Sequence, residues 1–182
     1  MRNLVRIMLL IALTAGISSC QKIKSIFDVD FDTTLSGDLD IDIPQSTAKS
    51  AANFEFEKFV TVDPLDYEDI ADYVDNIKEF AVNGVVVEVL SVSTQDVVFL
   101  KGTTFVIKDN SITVSWTLEN DWTVTEGTTI DLDDTGNIYE SVVDILTKKG
   151  QFQVGASGVS SKEGVFITLS IGIDTKVTAS PL

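Results

Sequence analysis

Apolar and polar side chains alternate strictly through FDVDFDT (27–33), with Phe27, Val29 and Phe31 on one side and Asp28, Asp30 and Asp32 on the other. DLDIDI (38–43) repeats the pattern with Leu39, Ile41 and Ile43. A period of two with one apolar face marks a half-buried strand. Two strands are therefore predicted, joined by a turn at Ser36-Gly37. The aspartates on the wet face also discourage edge-to-edge pairing. Pro44 to Ser50 is polar and reads as a loop, and NFEFEKFVTV (53–62) returns to the strand pattern with Phe54 and Phe56 against Glu55 and Glu57.

The period then changes. Asp63-Pro64 has the form of a helix start, an N-cap followed by proline in the first turn. Tyr67, Ile70, Ala71, Val74 and Ile77 recur at helical spacing, with Asp66, Glu68 and Asp69 suited to the amino end of the dipole. These residues predict a helix over about 64–80, closed off by Gly84. VVVEVLSV (85–92) is apolar on both faces and predicts a central strand. Residues 96–107 predict two strands, or one bent one, broken at Lys101-Gly102. Asp109-Asn110 marks a hairpin turn. In the next strand Ile112, Val114, Trp116 and Leu118 face in, and Thr113, Ser115 and Thr117 face out.

Strand patterning continues through 122–124 and 128–132, around Glu126-Gly127. A second helix is predicted over about 136–149, capped by Asp134 or Thr135, striped by Ile138, Val142, Ile145 and Leu146, and stopped by Gly150. Phe152, Val154 and Ala156 alternate in the next strand. Val165, Ile167, Leu169, Ile171 and Ile173 form the longest one-sided apolar run of the chain. Nine to eleven short strands with hairpin turns and two helices imply a mainly β protein, an antiparallel β-sandwich. The two strand–helix–strand units share no residue-level repeat.

Composition narrows the chemistry. The chain has 182 residues, a single cysteine and no histidine. Without histidine there is no Ser-His-Asp or Cys-His catalysis, no His-ligated zinc and no imidazole acid–base step. No cofactor is expected. The formal charge is −15, which repels nucleic acid, whose binding depends on neutralising phosphates.

The amino-terminal 20 residues stand apart. Arg2 and Arg6 precede a short apolar core, Ile7 to Gly16, and small residues follow it. This is the layout of a secretory signal. Its ten apolar-core residues reach roughly 15 Å as a helix, about half a bilayer core. Ile17-Ser18-Ser19-Cys20 resembles the lipobox of bacterial lipoprotein precursors. The resemblance implies that Cys20 takes a diacylglyceryl group, that residues 1–19 are removed and that the new amino terminus is acylated. It also implies an outer- rather than inner-membrane address, since Gln21 stands where an aspartate favours inner-membrane retention. Several acyl chains give stable anchoring where one binds only marginally.

Removing residues 1–19 takes away Arg2, Arg6 and no acid, leaving 163 residues with 11 basic against 28 acidic side chains, a charge of −17. The expected organisation is a signal peptide (1–19), a lipidated cysteine with a short tether (20–26) and one domain (27–182). Lys22 and Lys24 beside the anchor suit lipid headgroups.

Calcium is the first chemistry the acidic runs invite. An EF-hand loop needs oxygens at alternate positions, glycine sixth and glutamate twelfth. Loops starting at Asp28 or Asp38 fail on both counts. Asp131, Asp133 and Thr135 with Gly136 come nearer, but the twelfth position is Val142. These three residues are the calcium candidates, and a helix cap explains them equally well. Paired carboxylates for glycoside hydrolysis have no distinguishing signal among so many acids. Trp122, next to a turn, is the candidate exposed aromatic. Asp32-Thr33-Thr34 resembles a short O-glycosylation acceptor of some bacterial envelope proteins. The sequence thus points to a lipid-anchored envelope lipoprotein, a non-enzymatic binding or structural module. Its partners would be the membrane, through the lipid, and an envelope protein or glycan. A small carboxylate-based glycan hydrolase and a carrier of an apolar ligand are the alternatives.

Overall fold

The computed structural model describes residues 28–45 and 54–181. The export segment, Cys20, the tether and Phe27 lie outside the described residues. Ten strands and two short α-helices are described, in two antiparallel sheets that enclose one apolar cluster.

The first sheet has the order β1 (Val29–Ile43), β10 (Val165–Ala179), β3 (Ile77–Val92), β8 (Thr129–Asp131). The second is organised around β9 (Phe152–Ser160), which pairs along its whole length with β2 (Phe54–Val62). On its other side β9 pairs first with β5 (Thr104–Lys108) and then, at Ser160, with β4 (Val97–Phe99). Outside these lie β6 (Thr113–Thr117), on β5, and β7 (Trp122–Val124), on β4. The protein is thus mainly β, an antiparallel sandwich.

The alternation reads correctly where it is cleanest. Val165, Ile167, Leu169, Ile171 and Ile173 are all buried, and the same face continues through Val177 and Ala179. Val114 and Trp116 point inward, and Asp109 turns the β5–β6 hairpin by accepting from the N–H groups of Ser111 and Ile112.

Four expectations are corrected. There is no turn at Ser36-Gly37. β1 is one continuous strand, with Gly37 opposite Ile171 and Leu35 opposite Ile173. Gly37 faces the second sheet, where a Cβ would lie 2.5 Å from Val154 Cγ2 and 2.7 Å from Val60 Cγ1. The glycine is there for close approach between sheets, one of the meanings a strand glycine can have. The Asp32-Thr33-Thr34 triplet consequently lies inside β1, with the Thr34 hydroxyl donating to Asp174.

The expected helix over 64–80 is reduced to a 3-10 turn (Pro64–Asp66) and one α turn, α1 (Glu68–Ala71). Asp63 does cap the start, accepting from the Leu65 N–H at 2.9 Å. Tyr67, in extended geometry, separates the two pieces. Beyond Ala71, Asp72, Asp75 and Asn76 are residues that favour local turns over helix. From Ile77 the chain is a strand. Its register against β10 skips Lys78, Asn83 and Leu90. Each skipped residue is a bulge, an extra residue on one strand. The first turns an alternating pattern into the three-residue spacing Ile77–Phe80, which imitates a helix.

Gly84 accordingly stops nothing; it sits within β3 opposite Asp174. β3 is the central strand expected, flanked by β10 and β8, but only one of its faces is buried: Val85, Val87 and Val89 are buried while the bulged Leu90 is 38% exposed. The second helix, α2 (Ile138–Thr147), is real but shorter than 136–149. Asp134 accepts from the Tyr139 N–H at 2.8 Å, and Val142, Ile145 and Leu146 are buried. Its end is turned by Lys149, which takes φ 54°, rather than by Gly150.

Candidate functional site

β6 is an edge of the second sheet and β8 an edge of the first. Where these edges part, a cleft of about 360 Å³ opens. Its third wall is the connection from β8 into α2. Phe105, Trp116, Leu118, Ile130, Leu132 and Ile138 are its apolar lining residues, and Glu119, Asp131 and Asp133 its acidic ones. Ser115, Thr117 and Thr135 complete the lining, which contains no lysine or arginine. Lys101 borders the neighbouring depression beyond Leu118 and Glu119.

The wall is held by two polar tips of otherwise apolar residues. Trp116 is 9% exposed, and its indole N–H donates to the Asp133 carbonyl at 2.9 Å. This ties β6 to the β8–α2 connection across the cleft. The Tyr139 hydroxyl donates to the Leu132 carbonyl at 2.6 Å and accepts from the Val85 N–H at 3.3 Å. The same residue therefore fixes the connection to β3. Burial raises the Tyr139 phenol above its ordinary value; the Val85 N–H opposes this, while the charges of Asp134, Asp133 and Asp131 add to it.

The three calcium candidates, Asp131, Asp133 and Thr135, do share one site, this cleft. They line it as separate rim groups: no three acidic side chains among the described residues form a metal-holding group. Trp122 is not the exposed aromatic expected. It stands opposite Phe99 in the β4–β7 ladder, half-buried, with edge-on contacts to Phe99 at 5.9 Å and Phe105 at 6.3 Å. The aromatic that belongs to the site is Trp116. Its inward phase was legible, but its place beside an open sheet edge was not, because that edge is set by strand order.

The aspartate row of β1 forms no second site. Asp30 accepts from Thr178 and Lys176, each at 2.8 Å, and Asp40 from Thr168 at 2.9 Å. The Lys176 ammonium first, then the Thr178 hydroxyl, holds the Asp30 carboxyl below its usual range. These are cross-strand pairs on a wet sheet face. At the opposite side, Asp109 is held far below the ordinary carboxylate range by Lys148, with help from the Ser111 and Ile112 N–H groups.

No family model matches the chain, and no curated protein matches it. Among solved structures the chain is similar to the decameric BFDV capsid protein, with a TM-score of 0.46 and 13% identity over 82% of this chain and 99% of that one. It is also similar to Desmodium yellow mottle tymovirus, with a TM-score of 0.34 and 6% identity over 85% of this chain and 82% of that one. The sandwich assignment stands on the sheet pairing described above.

Proposed function

We propose that this chain is a lipid-anchored protein of the bacterial cell envelope, more specifically of the outer membrane, and that its sandwich is a binding module. The observation that carries the anchor is the Ile17-Ser18-Ser19-Cys20 box directly after a positive segment and a short apolar core. Among the described residues no helix is long and apolar enough to cross a membrane.

The module reading rests on the cleft between β6, β8 and α2. A general acid for glycan hydrolysis needs a carboxyl buried among apolar groups to raise its affinity for a proton. Glu119, Asp131 and Asp133 are all exposed, at the rim of an apolar floor. That arrangement favours recognition over bond cleavage. The same floor keeps the carrier reading in a restricted form, in which an apolar ligand sits in the open cleft and not between the sheets. There, Leu39, Ile107, Leu169 and Ile171 and their neighbours are fully buried in one cluster.

Detergent-phase partitioning of the protein expressed with and without Cys20→Ser tests the anchor. The unaltered protein should enter the detergent phase and the variant the aqueous phase, uncleaved. Equal partition and equal mass would refute it.

A further inference from the structure

We infer that the open edge of β6 docks an extended peptide, which adds as an antiparallel strand with its apolar side chains in the cleft between β6, β8 and α2. The inference rests on the reading of this cleft as the binding site and names its partner. β6 pairs with β5 on one side and with no described strand on the other. Just beyond its ends, the Ile112 carbonyl accepts from the Asp109 N–H, and Leu118 bonds to Thr103 and Gly102. Main-chain groups alternate in direction along an antiparallel strand. Val114 and Trp116, in phase with Ile112 and Leu118, therefore direct their N–H and C=O groups to β5. Those of Thr113, Ser115 and Thr117 point out of the sheet edge, and these three residues are exposed.

The cleft runs beside this free row. Ser115 and Thr117 line it together with Trp116, Leu118, Ile130 and Ile138, and the four apolar residues pack against the core. Ile130 stands opposite the fully buried Val87 and so points between the sheets. A row of free main-chain groups beside an apolar recess for alternate side chains is the arrangement used in strand addition. The volume, about 360 Å³, is at the small end of ligand pockets and suits side chains from a strand. Exposed edges are ordinarily blunted by lysine, proline or a bulge. TVSWT has neither residue and pairs with β5 without a register shift. On the far side of the sandwich β2 closes on β1, with Gly37 against Val60 and Val62. The peptide is cationic, since the chain carries 28 acidic against 13 basic side chains and net charge steers association. Its pattern is thus apolar residues facing in, alternating with basic residues facing out.

The full-length protein in phosphatidylcholine vesicles, with protein-free vesicles as blank, is titrated by calorimetry with end-blocked Lys-Leu-Lys-Leu-Lys. Two isomers carry one N-methyl group, on the central lysine or on the leucine after it. With leucines inward, the lysine N–H points to β6 and the leucine N–H away. The lysine isomer should bind at least about tenfold more weakly than the parent peptide, and the leucine isomer should bind as the parent does. Glu-Leu-Glu-Leu-Glu should bind more weakly than the lysine peptide at low salt, with the gap narrowing as salt rises; equal binding would overturn the cationic preference. Ser115→Pro removes an N–H that β5 does not use, a change an edge strand accepts. This variant should melt cooperatively and bind no peptide. Equal binding of the two isomers, which needs no variant, would overturn strand addition, as would undiminished binding to Ser115→Pro. Self-association of the protein in detergent that is lost in Ser115→Pro would overturn the peptide in favour of a second copy. Cyclohexanemethanol needs the cleft but no strand. Its binding without that of the peptide would overturn strand addition and leave the cleft as a binding site. Binding of neither would overturn both; the anchor stands or falls separately, on the partition of Cys20→Ser.

Discussion

Replacing Gly37 with alanine adds a single methyl group at a point where β1 faces the second sheet. Read as a turn residue, Gly37 would tolerate the change or suffer only backbone strain. Read as a strand residue, it cannot accept it freely. The new Cβ would stand 2.5 Å from Val154 Cγ2, 2.7 Å from Val60 Cγ1 and 3.0 Å from Val62 Cγ2. Ordinary carbon–carbon contacts lie near 3.5–4.0 Å, so the sheets must separate or three valines must move. Overpacking of this kind costs about 1–3 kcal/mol, a fall in melting temperature of roughly 2–12 °C for a domain of this size.

A partner substitution isolates the cause. Val154→Ala removes two methyl-sized groups from a fully buried position, at about 0.8 kcal/mol each plus a cavity term. If the clash is the reason for the first loss, the double variant should lose at least about 1 kcal/mol less than the sum of the singles. Urea unfolding of the four proteins gives the cycle. A Gly37→Ala change within about 0.5 kcal/mol of neutral, or strict additivity with Val154→Ala, would refute the continuous β1 and its packing on β9.

Leu169→Ala should cost about 2–5 kcal/mol, since Leu169 is fully buried in β10. Its neighbour Thr168, half-buried with a surface hydrogen bond to Asp40, should cost about 1 kcal/mol or less as alanine; paired denaturant melts compare them, and equal losses would contradict the assigned faces. Asp109 has a folded-state pKa below its unfolded value, so its contribution is present above about pH 4 and is lost as pH falls toward the folded value. Asp109→Asn should therefore be less stable than the parent at pH 7 and should lose less further stability on acidification, as measured by thermal melts across the acid limb. Parallel acid limbs would remove the Lys148–Asp109 pair from the account.

The sequence signals that held are those in which side-chain phase alone decides. β6 and β10 each keep one uninterrupted period, and Asp134 and the Ile138–Leu146 stripe place α2. The failures have physical causes of two kinds. In β1 and β3 the backbone departs from the ideal ladder or the residue choice answers a distant strand. Gly37 is selected by Val60 and Val154, which nothing adjacent in the chain reveals. The bulge at Lys78 shifts the phase at the start of β3 and lets that part of the strand pass for a helix. The site failed for a different reason. Asp131, Asp133 and Thr135 were visible as oxygen donors, but their meaning comes from Trp116, Leu118 and Ile138, which the fold brings beside them. The turn before Trp122 points to solvent, whereas its pairing with Phe99 turns the ring inward.

We propose that this sandwich is displayed from a lipid on Cys20. The intact mass of the protein extracted from the cell envelope decides this. The expected species is a chain of 163 residues beginning at Cys20, heavier than its bare polypeptide by a diacylglyceryl group and a third acyl chain. A mass equal to an unmodified polypeptide, whether the full 182 residues or a chain cut elsewhere, would contradict it.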